Sequence, residues 1–258
     1  MPFTVSHVAA VLPFRKLNLT WSAFVIGTMA PDFPYVVGTT EYRDFGHVMP
    51  GLLLFTVPAS LVALWMFHNV LKRPVIGLMP AGIQLRLRDQ MAPFPFAGPR
   101  RFLAILGSVL LGVATHVVWD SLTHSYTWAY FHIRWLRGFV HVPFIGIMPI
   151  HSVSQYTSSI LGLVALTIWV WLWYRRTPVS EGATSQSPRS RFVLGLVMFG
   201  VAGLAGLVRA LLVVGMPATR SNADLFVFVF GVTALALAFW QLLLYCVLVS
   251  SHQMWIIT

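Results

Sequence analysis

Five apolar stretches, at about 47–71, 102–124, 152–174, 192–214 and 225–250, constrain this chain more than any other feature. A helix needs about 20 consecutive apolar residues to cross a hydrocarbon core of roughly 30 Å, and each stretch is long enough. Only 9% of the 258 residues are charged and 57% are apolar, whereas a soluble domain carries about 25% and 45–50%. The expected fold class is all-α: an integral-membrane helical bundle with about five full transmembrane helices, because a helix satisfies its own backbone in lipid. A sixth apolar stretch, about 20–38, is interrupted by Ala30-Pro31-Asp32 and by Pro34. It reads as a short span, a re-entrant hairpin or an interfacial helix. Residues 5–17 read as a short N-terminal helix ending at Arg15 and Lys16. The start lacks a basic region followed by an apolar core, so no cleaved signal peptide is expected.

The charge balance, 17 Lys+Arg against 7 Asp+Glu, would suit a nucleic-acid partner if it formed a surface. Instead it gathers in the connections. Residues 72–101 carry Lys72, Arg73, Arg86, Arg88, Arg100 and Arg101, and residues 175–191 carry Arg175, Arg176, Arg189 and Arg191. The positive-inside rule puts both connections in the cytoplasm and leaves 38–47, 124–151 and 215–224 on the outer side. No nucleic-acid partner is expected. The single cysteine, Cys246, gives neither a disulfide framework nor a Cys-based metal site. The Ser/Thr/Pro/Gly-rich piece 177–191 reads as a flexible cytoplasmic linker. It divides the chain into a working unit, 1–176, which holds nearly all the histidines, and a C-terminal helix pair, 192–258. In that pair Gly195, Gly200, Gly203 and Gly206 suggest close helix packing, while Trp169, Trp171, Trp173 and Tyr174 before Arg175 read as an interface anchor.

Charge is costly inside a membrane helix, by about 2.5–3.5 kcal/mol on insertion scales, so intramembrane carboxylates mark candidate sites. Asp32 and Asp120 both lie in apolar surroundings. Around the second runs Thr115-His116-Val-Val-Trp-Asp120-Ser-Leu-Thr-His124. Steps of four on a 3.6-residue helix put His116, Asp120 and His124 on one face, offering nitrogen and oxygen donors of the kind zinc takes. The alternative is a hydrogen-bonded polar seam between helices. His151 and Gln155 repeat the four-residue step at the start of the next span, and His47 begins the first span on the same side. Asp32 falls at the break after Ala30-Pro31, where it reads either as a ligand or as a helix cap. His7 lies in the amphipathic first helix.

The order His7, Asp32, His47, His116-x3-Asp120, His124, His151-x3-Gln155 resembles the ligand order of the zinc-dependent phospholipase C and single-strand nuclease superfamily. Ala30-Pro31-Asp32 and His116-x3-Asp120-Ser-Leu-Thr look like motifs of its membrane-bound metal-dependent hydrolase branch. Pro2-Phe3-Thr4-Val5-Ser6-His7 and Gly27-Thr28-Met29-Ala30-Pro31-Asp32 also look like bacterial multi-pass membrane proteins of the 4184 family of unknown function. The resemblance covers about 2–160. It implies one metal held by Asp32, His47, His116 and Asp120, with Asp120 bridging to a second near His7, and a further site at His124, His151 and Gln155. Two departures narrow what carries over: Gln155 stands where the superfamily has Glu, and the soluble enzymes use a processed N-terminal residue as a ligand. One or two divalent ions, zinc by resemblance, are therefore expected, in a bacterial plasma-membrane protein whose metal site faces the extracytoplasmic side.

The activity so implied is hydrolysis of a phosphoester, a lipid or isoprenoid phosphate reached from the bilayer, through a metal-activated water. Asp32 and Asp120 carry the chemistry, Asp32 as general base if it is not needed as a ligand. Cationic partners for phosphate are Arg43, Arg134, Arg137 and Arg209. Arg209 lies within a span toward its outer end and either reaches the phosphate or snorkels to the interface. Arg134 and Arg137 sit among Trp128, Tyr130, Phe131 and Trp135 as an interfacial basic and aromatic segment, and His132 and His141 of the same loop are candidates for proton transfer. The alternative is a non-catalytic membrane scaffold or a metal-binding transport component.

Overall fold

The computed structural model describes residues 4–37, 44–182 and 187–255. The protein is an all-α integral-membrane bundle, with five helices long and apolar enough to cross a membrane among the described residues. A 3₁₀ helix, Thr4–Phe14, leads into α1 (Trp21–Met29). The membrane-length helices are α2 (Met49–Leu78), α3 (Pro99–Thr123), α4 (Ile150–Arg176), α5 (Pro188–Val214) and α6 (Arg220–Trp255). At 1.5 Å per residue α1 rises only about 13 Å, less than half the hydrocarbon core. Pro31 and Pro34 account for its end. The chain tightens into a 3₁₀ turn over Ala30–Asp32 and resumes as the short helix Phe33–Val37.

α2 runs further than the charge pattern suggests. Lys72 and Arg73, expected in a loop, lie inside the helix, and Lys72 is buried with its ammonium donating to the Ala92 carbonyl at 2.7 Å. Proline removes a backbone donor and its ring collides with the carbonyl four residues earlier. The helix widens to π-helical turns at Leu52–Thr56 and Phe67–Leu71 ahead of Pro58 and Pro74, which absorbs both collisions without a break. The Val70 carbonyl, four before Pro74, accepts from the Ser250 hydroxyl at 3.4 Å.

The chain groups into two compact units. The first comprises Met1–Asp32, Asp44–Leu64 and Pro95–Arg176; the second comprises Phe33–Arg43, Trp65–Phe94 and Thr177–Thr258. In the first unit α1 lies directly on α3 through Ala23, Phe24, Ile105 and Val109, all buried. Glycine makes this closeness possible. A Cβ on Gly112 would stand 2.5 Å from the Phe24 carbonyl oxygen and 2.8 Å from the Thr28 nitrogen. The 3₁₀ helix packs likewise against Gly162 of α4, where a Cβ would meet the Ser6 carbonyl oxygen at 2.9 Å. Trp21 and Trp169 stack nearly parallel with centroids 6.5 Å apart.

Between α3 and α4 a short helix, Trp128–His132, and a 3₁₀ turn, Arg134–Arg137, precede an antiparallel hairpin. Strands β1 (Phe139–Val142) and β2 (Gly146–Pro149) pair Phe139 with Pro149. The hairpin adds two short strands to a segment expected only as a loop.

In the second unit α5 and α6 form an antiparallel pair. Of the four glycines expected to line a close contact, only Gly206 does so, a Cβ there standing 2.8 Å from the Phe230 carbonyl oxygen; Gly195, Gly200 and Gly203 meet nothing within 4 Å among the described residues. The start of the expected linker is tied down: the Thr177 carbonyl accepts from Arg86 at 3.0 Å. Arg191 at the base of α5 donates to the Met79 carbonyl at 2.8 Å.

Candidate metal centre

α3 presents His116 and Asp120 one turn apart near its C-terminal end, and both are buried. The packing of α1 on α3 then sets the state of the first ring. His116 Nδ1 lies 2.8 Å from the Thr28 carbonyl oxygen. A carbonyl only accepts, so Nδ1 carries the proton and Nε2 of the neutral ring carries a lone pair. That lone pair faces Asp120 Oδ2 at 3.4 Å, His47 Nε2 at 3.3 Å and Asp32 Oδ1 at 4.0 Å. His47 Nε2, in turn, is 3.6 Å from Asp32 Oδ1 and 3.5 Å from Asp120 Oδ2. A single N–H on His47 cannot serve three acceptors at once. A cation would satisfy all of them.

The other carboxylate oxygen of Asp120 looks the opposite way, toward His7 Nε2 at 3.3 Å and His124 Nδ1 at 3.5 Å. Although fully buried, neither Asp120 Oδ1 nor either nitrogen of His7 has a hydrogen bond of proper geometry. Buried polar atoms are nearly always satisfied in native proteins, and donors aimed at a common space without hydrogen-bond geometry are what a metal ligand set looks like. Donor atoms of His7, His116 and Asp120 lie within 4.8 Å of one another, as do those of Asp32, His47 and His116. The residues present therefore fit one or two divalent ions. Burial holds the His7 imidazole below its ordinary pKa, against the raising effect of Asp120, which favours the neutral ring with one nitrogen lone pair.

Two supporting groups lie within the segments 2–7 and 27–32 but outside the expected ligand set. Thr28 supplies the backbone carbonyl that orients His116. Thr4 donates its hydroxyl to Asp32 Oδ2 at 2.6 Å, which leaves Oδ1 to face the rings. Thr4 could be found from its spacing, since residues three apart eclipse on a 3₁₀ helix and Thr4 therefore shares a face with His7. Trp119 completes the wall, its ring 5.1 Å from that of His7. Partners that fix a metal ligand typically change affinity by about 10–100-fold when lost. Thr4→Val is expected to weaken metal binding by that factor, measured by titrating the metal-depleted protein, with no change in the helical content read by circular dichroism.

The remaining candidates fall elsewhere. His124 caps α3 after the helix has ended, yet its ring still turns back to Asp120. His151 packs edge-on to Tyr130 at 5.4 Å, and the backbone carbonyl of Gln155 accepts from the Ser158 hydroxyl. His151 belongs to no cluster of three His, Cys, Asp or Glu donors among the described residues. Arg209 lies in the second unit, where it donates to the Thr233 hydroxyl at 3.1 Å. Arg134 and Arg137 are exposed. His132 stacks on Trp128, and His141 is exposed on β1. Arg43 lies outside the described residues.

No curated protein and no solved structure matches the chain. A family model described as a domain of unknown function, DUF4184, matches residues 1–247, and the chain belongs to that family.

Proposed function

We propose that this chain is an integral-membrane, metal-dependent hydrolase of phosphoesters, acting on lipid or isoprenoid phosphates at the extracytoplasmic side of a bacterial plasma membrane. The observation that carries the reading is the placing of Asp120: one buried carboxylate with two ring nitrogens on each side and an oxygen lacking any hydrogen bond of proper geometry. Asp32, His47 and His116 would hold one ion together with Asp120 Oδ2; His7 and Asp120 Oδ1 would contribute to a second, from which His124 is turned away by its Nδ1 facing the Asp120 backbone carbonyl at 3.2 Å. Such an ion, zinc by the resemblance of the ligand order, supplies positive charge to a phosphoryl oxygen and acidifies a bound water. Thr4 takes up Asp32 Oδ2, so Oδ1 is the one oxygen left to act, as a ligand of the ion or, where the ion does without it, as a general base. The charge pattern supports the extracytoplasmic placing: His116 and Asp120 sit at the far end of a span that begins at Arg100 and Arg101.

The test has two parts. Purified protein is expected to retain at least one divalent ion per chain, measured by mass spectrometry of the elements. Reconstituted protein is expected to release phosphate or headgroup from phosphatidic acid, phosphatidylglycerol or polyprenyl phosphates, with a loss of about 100-fold or more in His116→Ala. Metal retention without release from any phosphoester would replace the hydrolase with a metal-binding scaffold or transport component. Folded protein without metal would remove both.

A further inference from the structure

On the flank of α3 next to the Asp120 cluster, a groove of about 700 Å³ opens between α3 and α4. Ala114, Val118 and Leu122 form one wall, Ser154 and Ser158 the other, and Trp135 of the 3₁₀ turn lies at its head. The hydroxyl of Ser158 is taken up by the Trp119 indole N–H at 3.0 Å, so the surface is almost wholly carbon. A groove of this volume is in the range of small-molecule sites. Water does not fill an apolar space without polar partners. The walls belong to two membrane-length helices, so the surrounding medium at this depth is hydrocarbon.

Charge lies beside the groove, on the turn that contributes Trp135 and Leu136 to its lining. Arg134 and Arg137 flank Trp135 on the same turn, both exposed and, among the described residues, without an acidic partner. We infer that the groove holds the hydrocarbon chain of an anionic phosphoester lipid, whose phosphate is met by Arg134 and Arg137. Trp119 lines the groove and its ring also lies 5.1 Å from that of His7, so the lipid chain lies one ring away from the candidate metal ligands. The inference deepens the proposed function by naming how a substrate would be held, and rests on that proposal only in calling the lipid a substrate.

The test is photolabelling of the reconstituted full chain with phosphatidic acid carrying a diazirine in its acyl chain, with and without EDTA, followed by peptide mapping. Label is expected in 111–123 and 154–158 under both conditions. Val118, 61% exposed, tolerates a larger side chain without core disruption, and Val118→Trp is expected to abolish the label by filling the groove. Leu122→Trp serves the same purpose should Val118→Trp fail to fold. Replacing Arg134 and Arg137 by Gln is expected to weaken labelling by about fivefold per guanidinium, and to leave a diazirine phosphatidylcholine unaffected. Label that survives both tryptophan variants, or maps to other helices, overturns the assignment, and labelling indifferent to the arginines overturns the role given to them. Groove labelling without hydrolysis leaves this site standing and removes the hydrolase; hydrolysis without groove labelling does the reverse.

Discussion

Asp120→Asn is expected to lower divalent metal affinity by more than about 100-fold, since this carboxylate is itself a donor and even supporting partners are worth 10–100-fold. The same substitution is expected to leave the metal-free protein as stable as before, or more stable by up to about 1 kcal/mol. The reason lies in what surrounds the carboxylate. Without an ion, the Oδ2 edge faces the lone pair of His116 Nε2, fixed by the Thr28 carbonyl, and Oδ1 has no proper hydrogen bond. An amide is uncharged and has N–H groups to offer to those same nitrogens. A bound ion stabilises by about 2.7 kcal/mol when present at 100 times its dissociation constant. Wild-type protein should therefore unfold at a clearly higher temperature with metal than with EDTA, and Asp120→Asn should unfold at one temperature in both. Equal loss of stability in the variant under both conditions would mark Asp120 as the centre of a hydrogen-bonded seam and not a ligand.

Gly112→Ala is expected to destabilise the protein by about 1–3 kcal/mol, the usual cost of forcing an extra carbon into a packed contact. The added Cβ would stand 2.5 Å from the Phe24 carbonyl oxygen and 2.8 Å from the Thr28 nitrogen, both backbone atoms that yield only if α1 moves. Displacing α1 also moves the Thr28 carbonyl away from His116 Nδ1, so metal affinity should fall with stability. Gly107→Ala on the same helix is the control. Nothing lies within 4 Å of a Cβ there, and replacing a helical glycine by alanine gains about 0.5–1 kcal/mol. Thermal unfolding in detergent separates the two, and a neutral Gly112→Ala would mean that α1 and α3 are not in backbone contact.

The membrane helices were legible because lipid makes a compositional demand that a sequence cannot hide. His116 and Asp120 were legible from helical spacing. His7, Asp32 and His47 were not, because no local period connects residues separated by tens of positions; only the order of the donors along the chain joined them to α3. The Thr28 carbonyl left no signal at all, since every residue carries that acceptor and only the Gly27 to Gly112 contact decides which one meets His116. The hairpin escaped for a different reason. Its turn places Phe144 at φ 66°, a conformation usually announced by Gly or Asn. Lys72 was misplaced because a charge ends an apolar run in sequence without ending a helix, whose last turns here bury the alkyl stem and give the ammonium a carbonyl.

The donors of the candidate centre come from four separate places in the chain, and that fixes an order of events during synthesis. His7, Asp32 and His47 leave the ribosome well before His116 and Asp120. Until α3 arrives, Asp32 has Thr4 for company but not the rings, and a lone carboxylate at membrane depth costs about 2.5–3.5 kcal/mol. The segment around Ala30-Pro31-Asp32 therefore has reason to wait near the headgroups and to sink only when α3 inserts beside it. Burial of Asp32 and completion of the ligand set become one event, with the two glycines as its latch.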